Sequence, residues 1–238
     1  MQALELKIVE SFIKNKEKVQ DYLKELENQY QSPIYSSIDI RDAGFKIATV
    51  DTNLFPGGFN NIHPNQLKNN LLSKTISNKF PNCKNICLIA EEHTRNPWYL
   101  ENLFTLSTYL NQSNIKITIA IDNLPINTTE LTTAKNNKIT IHNLEQTIKN
   151  QNIDLFLLNN DLTKSVPESL KNTNIHIEPS INKGWLTRSK SEHFYQKEYL
   201  LNQLSQIIKL DPWLISTQYK SMNNINIFDE KSQNKLVI

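Results

Sequence analysis

Glycine is scarce in this chain of 238 residues: there are four, and none follows Gly184. That excludes a glycine-rich, phosphate-cradling loop of the usual kind anywhere in the last quarter of the sequence. Cysteine is scarcer still. Cys83 and Cys87 are too few for a disulfide framework, and a lone Cys-x3-Cys without a second pair is a weak metal motif. The spacing places Cys87 in a core and Cys83 in a loop. No apolar run approaches the roughly 18 residues of a membrane span, and the charged start MQALELKIVESFIKNKEK is not a signal peptide. Net charge is +2 with no block of one sign, which argues against nucleic acid or an anionic membrane as partner. These absences predict a soluble, cytoplasmic protein.

Three of the four glycines, Gly44, Gly57 and Gly58, fall in one stretch, YSSIDIRDAGFKIATVDTNLFPGGFNN. Ile38 and Ile40 alternate with Ser37, Asp39 and Arg41, the period of a half-buried strand. Asp42-Ala43-Gly44 is a turn signal. Phe45 to Asn53 alternates again and runs into Pro56-Gly57-Gly58. Asp39, Arg41, Asp51, Asn53, Asn60 and Asn61 therefore converge on strand ends and turns, where a rigid sheet aims polar groups.

The rest of the chain reads as α/β. Residues 3–30 carry apolar side chains at helical spacing, with a break near Asn15, and are expected to pack on a sheet. His63-Pro64 opens a helix over 65–79, with Leu67, Leu71, Leu72 and Ile76 inward. Ile86–Ala90 is a continuous apolar run, suited to a strand buried on both faces. It ends in Glu91-Glu92-His93-Thr94-Arg95-Asn96, and a helix follows over 97–111. Residues 115–121 form the next strand and 122–137 read as loop. A short strand at 139–141, a helix over 143–150, a buried strand at 153–158 ending in Asn159-Asn160-Asp161, a short helix near 167–170 and an extended piece at 175–177 complete the pattern. Repeated strand-then-helix units predict a largely parallel sheet flanked by helices and preceded by a long N-terminal helix. The domain expectation is one α/β substrate-side domain over 1–210 and a weakly ordered tail over 211–238.

Ligands in open α/β sheets sit beyond the carboxyl ends of strands, so Glu92, Arg95, Asn96 and Asp161 join the candidates. A helix over 189–209 begins beside Arg188, Lys190 and His193, and cations there oppose the helix dipole unless an anion is near. His63, His142 and His176 read as surface or loop residues. Trp98, Trp185 and Trp213 read as packing anchors, because no basic track surrounds them.

Taken together, DIRDAGFKIATVDTNLFPGGFNN, EEHTRNPWYLENL, NNDL, GWLTRSKSEHF and DPWLI resemble the proteobacterial glutamate–cysteine ligase family, whose members use an ATP-grasp-like fold. The likeness runs over about 30–215 in the same order. It implies the first step of glutathione synthesis. ATP phosphorylates the side-chain carboxylate of glutamate, and the amine of cysteine attacks the acyl phosphate. It implies ATP and Mg²⁺ in the complete enzyme, with neither expected to bind this chain tightly. The chain then resembles the half that precedes the ATP-grasp portion, which implies a truncated form or a separate chain carrying the other half. Ser189, where the pattern has a second basic residue, and NNDLTKS, which lacks a glycine, are departures. The alternative reading is a non-catalytic remnant or an amino-acid-binding protein.

Overall fold

The computed structural model describes residues 3–67, 70–92, 94–111, 114–184, 187 and 189–217, the side chains of Pro64 and Leu67 apart. It divides into two compact units, one made of 1–25, 40–50 and 189–238, the other of 26–39 and 51–188.

The larger unit is built on a six-stranded sheet in the order β5-β6-β4-β3-β7-β8. Its strands are β3 (Asn85–Ala90), β4 (Lys116–Ile121), β5 (Thr128–Thr132), β6 (Lys138–Asn143), β7 (Leu155–Asn159) and β8 (His176–Glu178). All neighbours are parallel except β5 and β6. The apolar runs explain the centre. In β3, Ile86, Leu88 and Ala90 join the cluster on one face of the sheet, while Cys87 and Ile89 join the cluster on the other. In β7, Leu155 and Leu157 go with the first cluster, Phe156 and Leu158 with the second. Both faces are thus dry, as parallel strands between helical layers require. Helices α4 (Leu71–Lys79) and α5 (Pro97–Leu110) supply the first layer; α6 (Leu144–Asn150) and α7 (Glu168–Lys171) supply the second. Burial pushes the Cys87 thiol up to about 12, so it behaves as a core hydrophobe.

Several expectations need correction. Residues 122–137 are not all loop: Thr128–Thr132 pairs antiparallel with β6 at the sheet edge. Leu131 is the one apolar residue of Thr-Thr-Glu-Leu-Thr, too little for a periodicity to show. The helix expected over 65–79 is two, α3 (Pro64–Leu67) and α4, with Asn70 left-handed before α4 and Leu71 exposed. Ile38 and Ile40 are exposed as well, because β1 (Ser37–Asp42) and β2 (Ile47–Asn53) form a separate two-stranded ribbon.

The N-terminal segment breaks at Asn15 into α1 (Ala3–Lys14) and α2 (Lys16–Gln29), of which residues up to 25 belong to the smaller unit, and the Asn15 amide donates to the Ser11 carbonyl. Ile8, Phe12 and Val19 cluster with Leu204, Ile207 and Ile208 of α8 (Lys190–Ile208), and with Leu210, Leu214 and Ile215. Ser189 and Glu192 close a capping box at the start of α8. The Ser189 backbone and hydroxyl hold the Glu192 carboxyl below its usual range, so a carboxylate of the chain itself meets the dipole there. Phe45 stacks on Trp213 at 6.2 Å, with the Lys46 ammonium over the same indole at 4.5 Å. Of the predicted tail, 211–217 are described: Lys197 and Thr217 both donate to the Thr49 carbonyl. Residues 218–238 lie outside the described set. No described helix is long and apolar enough to cross a membrane.

One local lock sets the register of the central strands. The Asp154 carboxylate accepts from the backbone N–H groups of Lys84 and Asn85 at 2.9 and 2.8 Å, and these bonds hold its pKa below the usual range. A depressed carboxyl stabilises fully above its unfolded value, near pH 4, and loses that contribution as pH falls through the folded value. Asp154→Ala should cost about 1 kcal/mol at neutral pH, a modest figure because the group is solvent-exposed. In urea melts the gap between variant and parent should close as the pH falls from 5 to 2. A gap that stayed constant with pH would remove the carboxylate from the account.

Candidate functional site

Three parallel strands of the larger unit end side by side. From β3 the chain passes through α5 to β4 on one side; later, through α6, it returns to β7 on the other side of β3. The β3–α5–β4 and β6–α6–β7 connections run in opposite directions across the sheet and over opposite faces, which opens a crevice beyond the carboxyl ends of β3 and β7. A cavity of about 520 Å³ lies there, lined by Glu91 and Glu92 after β3, Asp122 and Asn123 after β4, and Asn160 to Ser165 after β7. A second cavity of about 570 Å³ shares Glu92, Asp122 and Asn123 and adds Thr94 and Arg95.

The walls are fixed by the backbone. The Asn160 amide donates to the Ala90 carbonyl at 3.4 Å, and its Oδ1 accepts from Leu162 N–H at 2.9 Å. Asp161 Oδ1 accepts from Thr163 N–H at 3.2 Å. Leu162 sits at φ 55°, a left-handed conformation that costs a leucine about 1–2 kcal/mol. Buried Asn159 donates to the Pro56 carbonyl at 2.9 Å, and Tyr35, edge-on to Phe59, donates its hydroxyl to the Leu158 carbonyl at 3.1 Å. Burial raises the Tyr35 pKa, so it stays a neutral donor.

The electrostatics are lopsided. Glu91, Glu92, Asp122 and Asp161 face the crevice with Lys164 and Arg95 as its cations, and Lys164 is paired with Glu92 at 3.1 Å. Such walls favour an ammonium group, with Arg95 available for a carboxylate, and they disfavour a triphosphate.

The other candidates fall elsewhere. Asn60, Asn61 and Asn96 line a separate cavity of about 490 Å³ in the same unit; Asn96 is also the N-cap of α5, accepting from Trp98 N–H at 3.0 Å. Asp51 accepts from Thr52 N–H and Asn53 from Phe55 N–H, both local turns. Asp39 and Arg41 are exposed on β1, where an Arg41 guanidinium N–H donates to the neighbouring Ile40 carbonyl at 3.4 Å. Lys190 is the exposed first residue of α8; Arg188, His93 and Trp185 lie outside the described residues. Trp98, expected as a packing anchor, is 58% exposed.

Asp122, Asn123, Lys164 and Asn102 carry no motif that singles them out in the sequence. Asp122 had a signal all the same, since it directly follows the strand Ile115–Ile121 and the strand-end rule applies to it as to Glu91. Asn102 stands three residues after Tyr99 and four before Leu106, an amide on the apolar face of α5.

The sequence profile of GshA, described as glutamate-cysteine ligase, matches residues 10–238. No curated protein matches significantly. Among solved structures, a protein of Methylobacillus flagellatus KT, provisionally named gamma-glutamylcysteine synthetase, is 31% identical with a TM-score of 0.82. The match covers 91% of this chain and 53% of that one, so this chain spans about half the length of that protein.

Proposed function

Because this chain belongs to the glutamate-cysteine ligase family, we propose that its parallel-sheet unit receives the amino-acid substrate of an ATP-dependent ligase making γ-glutamylcysteine. In that reaction phosphoryl transfer from ATP activates the side-chain carboxylate of glutamate. The cysteine amine then attacks the acyl carbon, an amide bond forms, and phosphate leaves. The observation that carries the proposal within this chain is the crevice at the ends of β3, β4 and β7. Its carboxylates match an ammonium group and Arg95 matches a carboxylate, the two charges every amino acid carries. Its binding residues are Glu92, Arg95 and Asp161, joined by Asp122.

The residues present do not fit the other reactants. Among the described residues no group of three His, Cys, Asp or Glu side chains is placed to hold a metal ion. The carboxylates of the crevice, Glu91, Glu92, Asp122 and Asp161, repel a triphosphate. We therefore assign ATP and Mg²⁺ to a further half, on the same polypeptide or a separate one, and route no step through them here.

The test is phosphate release from ATP in the presence of glutamate, cysteine and Mg²⁺. The 238-residue chain alone should release none above background. Release that requires both amino acids should appear once an ATP-binding half is supplied. Turnover by the 238 residues alone would overturn the division of labour, and glutamate binding without turnover in any reconstitution would favour a non-catalytic binding protein.

A further inference from the structure

The amide-lined cavity of about 490 Å³ beside the Gly57-Gly58 turn and the start of α5 has three asparagines whose oxygens are already engaged. Asn102 is 2% exposed. Its Oδ1 accepts from Phe59 N–H at 2.9 Å, which fixes the amide orientation, since a flipped amide would set donor against donor. Its Nδ2 is then buried with no protein partner, a costly arrangement unless something else accepts from it. The same bias recurs around it. Asn96 Oδ1 is consumed by Trp98 N–H, and Asn61 Oδ1 accepts from Asn60 Nδ2 at 3.3 Å. At Asn102, Asn96 and Asn61 the oxygen is spent inside the protein while the amide N–H₂ remains; Asn60 is the reverse case, its Nδ2 engaged by Asn61. The indole of Trp98, mostly exposed at the rim, is also a donor only. No charged side chain lines the cavity, and its size suits a small organic ligand.

We propose that this cavity binds a small-molecule carboxylate, held by the donor ends of Asn102, Asn96 and Asn61 with its body against Trp98. The assignment goes beyond the proposed function and does not depend on the acidic crevice.

Glutarate, a dicarboxylate without an ammonium group, is the probe, titrated calorimetrically into the chain. Asn96→Asp keeps the cap acceptor for Trp98 N–H but replaces the amide donor with a carboxylate, on an exposed residue where the fold is safe. Asn102→Asp makes the same exchange at the buried position. Glutarate should bind the parent and weaken at least tenfold in Asn96→Asp and, where it folds, in Asn102→Asp. 1,5-Diaminopentane should not compete. No glutarate binding by the parent, an unchanged Kd in Asn96→Asp, or a loss seen instead in Asp122→Asn/Asp161→Asn would overturn the proposal. Loss of glutamate binding in the crevice variants with glutarate binding retained leaves both readings standing. Retention of both ligands there refutes the crevice alone.

Discussion

Gly184→Ala should destabilise the larger unit by about 2 kcal/mol and loosen the wall of the acidic crevice. A Cβ at this position would lie 2.5 Å from the Asp161 carbonyl oxygen and 3.6 Å from the Phe55 ring. The first contact is with backbone, so no side-chain rotation relieves it. The backbone it strikes is already committed: Asn160 is bonded to Ala90 and Leu162, Asp161 to Thr163, and Leu162 holds a left-handed conformation. Overpacking against such a segment costs about 1–3 kcal/mol. The role of Gly184 is close approach rather than conformational freedom, since its φ of −81° is open to any residue. Urea denaturation should show the lowered midpoint, and hydrogen exchange should quicken at the amides of Leu162 and Thr163. A variant as stable as the parent, with those amides equally protected, would show that the segment yields freely.

A loss of comparable or larger size, about 3 kcal/mol, is expected from Glu101→Ala. Glu101 is 2% exposed on α5. Its carboxylate accepts from the Thr133 hydroxyl, from Lys135 N–H at 3.2 Å and from the Asn137 amide at 3.3 Å. It thus ties the helix to the turn joining β5 to β6. Truncation strands several donors in a dry place, where each costs about 1–3 kcal/mol unless the turn shifts to reach water. Glu101→Gln keeps the volume and one acceptor but turns an amide N–H₂ toward those donors, so it should fall between. Denaturant midpoints in the order parent, Gln, Ala are the expected result; equal midpoints would mean the turn holds without the carboxylate.

The fold is legible in the sequence where burial is symmetric. Ile86–Ala90 and Leu155–Leu158 are apolar without interruption because both faces are covered, and that pattern by itself points to a parallel sheet. Elements facing water on one side are harder. Thr128–Thr132 carries a single leucine and reads as loop, and Ile38 and Ile40 alternate as though half-buried yet stand exposed. The partner of the N-terminal helix is invisible in the sequence, because periodicity shows which face is apolar but not what covers it. At the site, the strand-end rule finds Glu92 and Asp161 and applies equally to Asp122. Asn102 and Gly184 act through a single oxygen or a single missing carbon, and such contacts are set by tertiary geometry alone.

Calorimetric titration of L-glutamate into the chain, and into Asp122→Asn/Asp161→Asn, tests the crevice most directly. Both exchanges keep an oxygen for the local bonds of Asn123 and Thr163 while removing the negative charge. Charge-assisted hydrogen bonds contribute about 1.5–3 kcal/mol each, so the double variant should bind at least tenfold more weakly than the parent. Glutamate binding of equal strength in both proteins would contradict the account.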